Sequence, residues 1–176
     1  MLSFPGRRLV RPAGLALASM LLATQLLPPQ ALARGGQEGF GRWELRSDHC
    51  KRNLAESLAT SPCQVVQLDQ RQEGLLNVTF LARGAEKGAI NQLTFVGELK
   101  PGSLAMRCAQ ARCTPQGSMQ AQLSSVSETR FDGRGIAQGL PSAWPVNGTC
   151  LVEDRQVRCE AKALSGEAWT AEATTP

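Results

Sequence analysis

The residues that could carry chemistry in this chain are, first of all, six cysteines: Cys50, Cys63, Cys108, Cys113, Cys150 and Cys159. An even set in a small chain reads as a disulfide framework built in an oxidising compartment. Zinc sites favour closely spaced cysteine pairs backed by further Cys or His, and only Cys108 and Cys113 approach that spacing. A redox pair wants C-x-x-C, and the chain contains none. Local geometry suggests the partners. If residues 150–159 form a hairpin turning at Asp154-Arg155, Glu153 faces Gln156, Val152 faces Val157, and Cys150 faces Cys159. By that count 150/159 is a non-hydrogen-bonded pair, with Cα atoms about 4.5 Å apart, inside the range a disulfide tolerates. The turn is the weak point, because Asp-Arg is a poor choice where positive φ is wanted. The same count makes 109/112 the inner pair of a second hairpin and 108/113 its bridge. Cys50 and Cys63 then pair by elimination.

The remaining inventory is thin. His49 is the only histidine, and a hydroxyl nucleophile commonly needs such a base, held in turn by an acid. Asp48 is its neighbour in sequence and poorly placed to orient it; Asp48 reads instead as the cap of a following helix. Glu128, Asp132, Glu153 and Asp154 are glycosidase carboxylates by type alone, and no spacing selects them. Asn77-Val78-Thr79 and Asn147-Gly148-Thr149 match the glycosylation sequon, and Asn147-Gly148 is read as a turn. No catalytic residue, metal site or cofactor is predicted, and the inventory leans away from an enzyme.

The elements that position these residues follow an export signal. Arg7, Arg8 and Arg11 open the chain without an acid, an apolar run extends from Ala13 to Leu27, and Ala31-Leu32-Ala33 supplies a small-x-small exit. These are the three parts of a cleavable signal peptide over residues 1–33. The apolar run falls short of the roughly 18–20 residues of a spanning helix. The expectation is an exported protein, periplasmic or secreted, with no membrane span after cleavage. All fifteen acids and sixteen of the nineteen basic residues lie after residue 33, leaving the mature chain at +1. Arg107, Arg112 and Arg158 are scattered rather than clustered, so nothing points to nucleic acid.

Residues 34–176 are expected to form a single β-rich domain with frayed ends, at 34–39 and from Ala171 to Pro176. Trp43 and Leu45 alternate with polar neighbours, as do Val66 and Leu68. Leu76, Val78, Phe80 and Ala82 share one face of a strand, and Leu93, Phe95, Gly97 and Leu99 share another. Met106 with Cys108, then Met119, Ala121 and Leu123, continue the pattern, and Trp169 lies in a last strand. Leu54 and Leu58, four apart, predict a helix over 51–59, and residues 132–148, rich in Gly and Pro, predict a long irregular connection. The result is a mainly-β fold: a small antiparallel barrel or sandwich of about eight strands, disulfide-stapled, with one short helix near residues 50–60. Gly41-Arg42-Trp43 resembles the G-x-W near the first strand of lipocalins and of small β-barrel protease inhibitors exported by bacteria. The resemblance covers three residues, and a tryptophan plugging one end of a barrel accounts for it equally.

A rigid stapled scaffold with a long Gly/Pro loop around Leu140 and Trp144 suggests a non-enzymatic binding or inhibitor module, its partner a protein or small ligand recognised by that loop. The alternative is a structural or assembly factor of the cell envelope, working through an exposed strand edge; a hydrolase ranks below both.

Overall fold

The structure, a computed structural model, describes residues 40–55, 59–72 and 74–174. The chain divides into Met1–Arg34 and Gly35–Pro176. The first unit lies outside the described residues, and with it the signal peptide expected over residues 1–33; so does the lead-in at 34–39.

The described residues contain twelve strands and no helix. They are β1 (Gly41–Arg46), β2 (His49–Asn53), β3 (Ser61–Pro62), β4 (Val65–Gln72), β5 (Leu75–Arg83), β6 (Ile90–Leu99), β7 (Arg107–Ala109), β8 (Arg112–Thr114), β9 (Met119–Phe131), β10 (Ser142–Glu153), β11 (Gln156–Ala163) and β12 (Ala168–Thr174). All belong to one sheet, ordered β3-β2-β12-β11-β10-β9-β6-β5-β4-β1-β8-β7, which curls into a half-barrel. Every pairing is antiparallel except a single parallel contact between Arg42 and Arg112. Residues 41–53 tie the two flanks together, since β1 lies along β4 and β2 along β12. Ser47, between them, sends its hydroxyl to the Thr174 carbonyl at 2.6 Å and its amide to the Gln64 carbonyl at 3.0 Å.

The concave face is the core, and the alternation read from sequence selects it. Leu76, Val78, Phe80 and Ala82 on β5 are buried, as are Leu93 and Phe95 on β6 and Val157, Cys159, Ala161 and Ala163 on β11. Phe80 and Phe95 meet edge to face at 5.9 Å, the geometry favoured by the ring quadrupoles. The curl is helped by register shifts at Val96/Gly97 and at Pro145/Gly148, because a bulge bends a strand and increases its twist. A Cβ at Gly97 would strike the Gln122 carbonyl, and one at Gly148 the Glu160 carbonyl. Asn147-Gly148 is therefore not a turn; it marks the bulge within β10.

Three other expectations are corrected. The strand count is twelve rather than about eight, because β2, β3, β7 and β8 have two to five residues each, too few to display a period. No helix occupies the described part of 50–60: residues 51–53 are paired with β12, so Asp48 caps no helix, and Leu58 lies outside the described residues. The chain from Ala171 to Thr174 is not frayed but sits between β11 and β2, with Ala171 and Ala173 buried.

All six cysteines are paired, as 50–63, 108–113 and 150–159. The β10–β11 hairpin has the expected register, Glu153 opposite Gln156 through to Cys150 opposite Cys159. Its turn takes positive φ at Asp154 (43°), which an aspartate tolerates better than most residues. The β7–β8 hairpin also pairs as expected. The 50–63 bridge closes because β2 doubles back on β3, setting Lys51 opposite Pro62 and the two cysteine Cα atoms 4.9 Å apart. Three disulfides suggest an oxidising environment for the folded chain, and among the described residues no helix is long and apolar enough to cross a membrane.

Candidate functional site

The two ends of the half-barrel are built differently. At one end, the β7–β8 hairpin and the chain leading into it close the core. Met106, Cys108, Cys113 and Met119 are all buried there, and Trp43 packs partly buried against the same core. The buried Gln70 amide fixes the closure: its oxygen accepts from the Met106 amide at 2.8 Å and its nitrogen donates to the Met106 carbonyl at 3.4 Å. Gly41 has a specific cause here. A Cβ would collide with the Ala111 backbone, 2.6 Å away, where the Arg42 amide donates to the Ala111 carbonyl at 3.0 Å.

The other end carries the β5–β6 loop, the β9–β10 connection, the β11–β12 turn and the loop after β2, as the antiparallel connectivity requires. It is not closed by apolar side chains. Val126, buried on β9, is followed in the same phase by the half-buried Glu128 and, at the open rim, by the exposed Arg130. Arg130 lies opposite Asn91 on β6, and Glu128 opposite Leu93. Across the concavity, Cys50 and Arg52 on β2 and Leu54 just after it share one phase. Arg52 is buried to 4% exposure, and its terminal nitrogen donates to the Asn91 carbonyl at 3.3 Å. Its Nε is buried and has no hydrogen-bond partner among the described residues. Burial pushes the Arg52 pKa below the usual arginine value; the nearby Glu128 carboxylate opposes that and Arg130 adds to it. The guanidinium nevertheless stays charged, as arginines in proteins do.

Glu128 has a defined partner of its own. The Trp169 indole N–H donates to its carboxylate at 2.9 Å, and Trp169, fully buried, packs against Trp144 with ring centroids 4.9 Å apart. Arg52, Glu128, Asn91 and Arg130 line an open cleft of about 250 Å³, with Leu54, Ala89 and Phe131 as its apolar wall. Ile90, Ile136, Leu140 and Leu164 are exposed on loops or strand starts at this end. Polar groups at the base of an apolar rim are the common composition of a ligand site.

The expected site residues distribute unevenly over this geometry. Leu140 is 93% exposed in the β9–β10 connection. Trp144 does not project from a loop, because β10 begins at Ser142 and turns its ring inward onto Trp169. His49 is exposed on β2 with its backbone opposite Thr174, remote in the sheet from Glu128. Glu153 and Asp154 sit exposed at the β10–β11 turn. Asp132 is engaged in its own loop, accepting from the Arg134 and Ile136 amides, each at 2.9 Å. No acid is brought to His49 from a distant strand by any hydrogen bond or ion pair observed among the described residues, and no cluster of three metal-ligating side chains forms among them. Sequence reasoning missed Arg52, Asn91 and Arg130. The available signal was phase: Arg52 alternates with Cys50 and Leu54, and Arg130 with Val126 and Glu128, so both charges share the phase of the core-facing residues, Arg52 buried and Arg130 exposed at the rim. Compared with protein-family models, curated proteins and solved structures, the chain matches none.

Proposed function

We propose that this is a non-enzymatic binding module of the periplasm or cell exterior, which receives its ligand at the open end of the half-barrel. The observation that carries the reading is Arg52. A guanidinium has five donors, and burying one with an unpaired nitrogen costs stability that an apolar side chain would not. Such a group is worth keeping where a ligand completes its bonding. The disulfides support the same reading, since a stapled scaffold holds the cleft in shape before binding and so lowers the ordering cost of association. The loop around Leu140 contributes to the rim, whereas Trp144 acts beneath it by setting Trp169 and Glu128. The edge-pairing alternative has less support, because the sheet ends in strands of two and three residues, too short for an added strand to grip.

The test is an amide chemical-shift map of the oxidised, isotope-labelled protein against small-molecule and protein fractions of the exporting cell's envelope and medium. Shifts concentrated at residues 52–54, 84–91, 128–142 and 164–169 are expected. Shifts confined to the opposite end, around residues 104–117, would contradict the reading.

A further inference from the structure

We infer that the open end is a carboxylate-binding site, taking a singly charged ligand with a short apolar body. The inference rests on the binding reading above and deepens it. A guanidinium and a carboxylate are planar and matched in spacing, and form paired, charge-assisted hydrogen bonds. Arg52 brings that group to the cleft, is already nine-tenths buried, and among the described residues makes a single hydrogen bond from its guanidinium, to the Asn91 carbonyl. The charge balance selects the anion. Arg52 and Arg130 line the cleft together with Glu86 and Glu128, so its formal charge is zero before a ligand enters. A monoanion shifts that balance by one, a phosphate dianion by two, beside two carboxylates already present. Glu128 is held by the Trp169 indole at 2.9 Å, which draws one of its oxygens away from the entering group. The apolar body has its own surface, in Leu54, Ala89 and Phe131 along the wall and in the exposed Ile136 and Leu140 outside it. A volume of about 250 Å³ suits a small acid or the terminal residue of a peptide; both present the same chemistry.

Calorimetric titration of the oxidised protein separates these cases. Octanoate is expected to bind, with octanol and inorganic phosphate at least about tenfold weaker, the scale of a lost charge-assisted pair. Arg52→Met is expected to weaken octanoate by about tenfold or more. Arg52→Lys keeps the charge without the fork, and is expected to fall between the two; it carries the test if Arg52→Met does not fold. A peptide ending in a free leucine carboxylate, compared with its amidated twin, tells a chain terminus from a free acid: selective binding of the free form supports the site and identifies its source. Equal binding of octanoate and octanol, tighter binding of phosphate, or indifference to both Arg52 variants would overturn the inference. If an uncharged compound produces the open-end amide shifts while octanoate does not, the carboxylate assignment falls and the binding reading stands. Shifts at that end from no fraction at all would remove both.

Discussion

At the residue scale, most side chains occupy positions that stability alone explains, and a few do not. Gln110 and Ala111 form the two-residue turn of the β7–β8 hairpin with φ of 52° and 61°, the left-handed pair that such turns require and that Asn-Gly fills best. An alanine there carries a steric cost that glycine lacks. Ala111→Gly is expected to stabilise the protein by roughly 1 kcal/mol, net of the glycine's greater freedom when unfolded. Thermal unfolding checks it, and a lower melting temperature would mean that the turn is fixed by the Gly41 contact rather than by its own backbone preference. Arg52 is the opposite case. Its conformation is ordinary and its environment is costly, and nothing nearby in the described residues bonds its Nε.

At the scale of elements, the β9–β10 connection shows how an irregular stretch is held. Asp132 accepts two backbone amides and pairs with Arg134 at 3.0 Å. The Ile136 amide contributes most to lowering its pKa, with the Arg134 side chain and amide adding to that effect and partial burial opposing it. A depressed pKa stabilises the loop at every pH above the ordinary aspartate value, and that contribution is lost as pH falls through the lowered one. Hydrogen exchange at the Arg134 and Ile136 amides is therefore expected to stay slow from neutral pH down past the ordinary aspartate range. Opening above that range would show that some other group holds the loop.

The elements also show what a single chain reveals. β4, β5 and β6 were legible because each has a buried apolar face and at least eight residues, so the period-two pattern has room to appear. The 108–113 and 150–159 bridges were legible because hairpin parity is local. Leu54 and Leu58 imitate a helical period after Cys50, whereas the conformation of residues 51–53 is decided by pairing with β12, more than a hundred residues later. Pro141 and Pro145 flank Trp144 and so suggest a loop in sequence. Pro145 is tolerated in β10 because it faces only β9, before the pairing with β11 begins at Val146. The site was the least legible part. Arg52, Asn91 and Arg130 come from three strands, and their meeting depends on the curl of the sheet rather than on any spacing in the chain.

At the scale of the whole molecule, the half-barrel is asymmetric in purpose. One end is closed by a disulfide hairpin, two methionines and the Gln70 amide, and the other exposes a charged cleft under an apolar rim. A protein selected only for stability would close both ends alike. The account therefore requires that Arg52 is kept at the expense of stability, and thermal unfolding of the ligand-free Arg52→Met variant beside the wild type measures this directly. No carboxylate lies within ion-pair distance of Arg52 among the described residues. An apolar side chain of similar length therefore removes a desolvation cost without breaking a salt bridge, and the variant is expected to melt at the same temperature or higher, with a gain of up to about 2 kcal/mol. A loss of more than about 2 kcal/mol would make Arg52 a structural tie between β2 and β6, and the open end would no longer be a site in waiting.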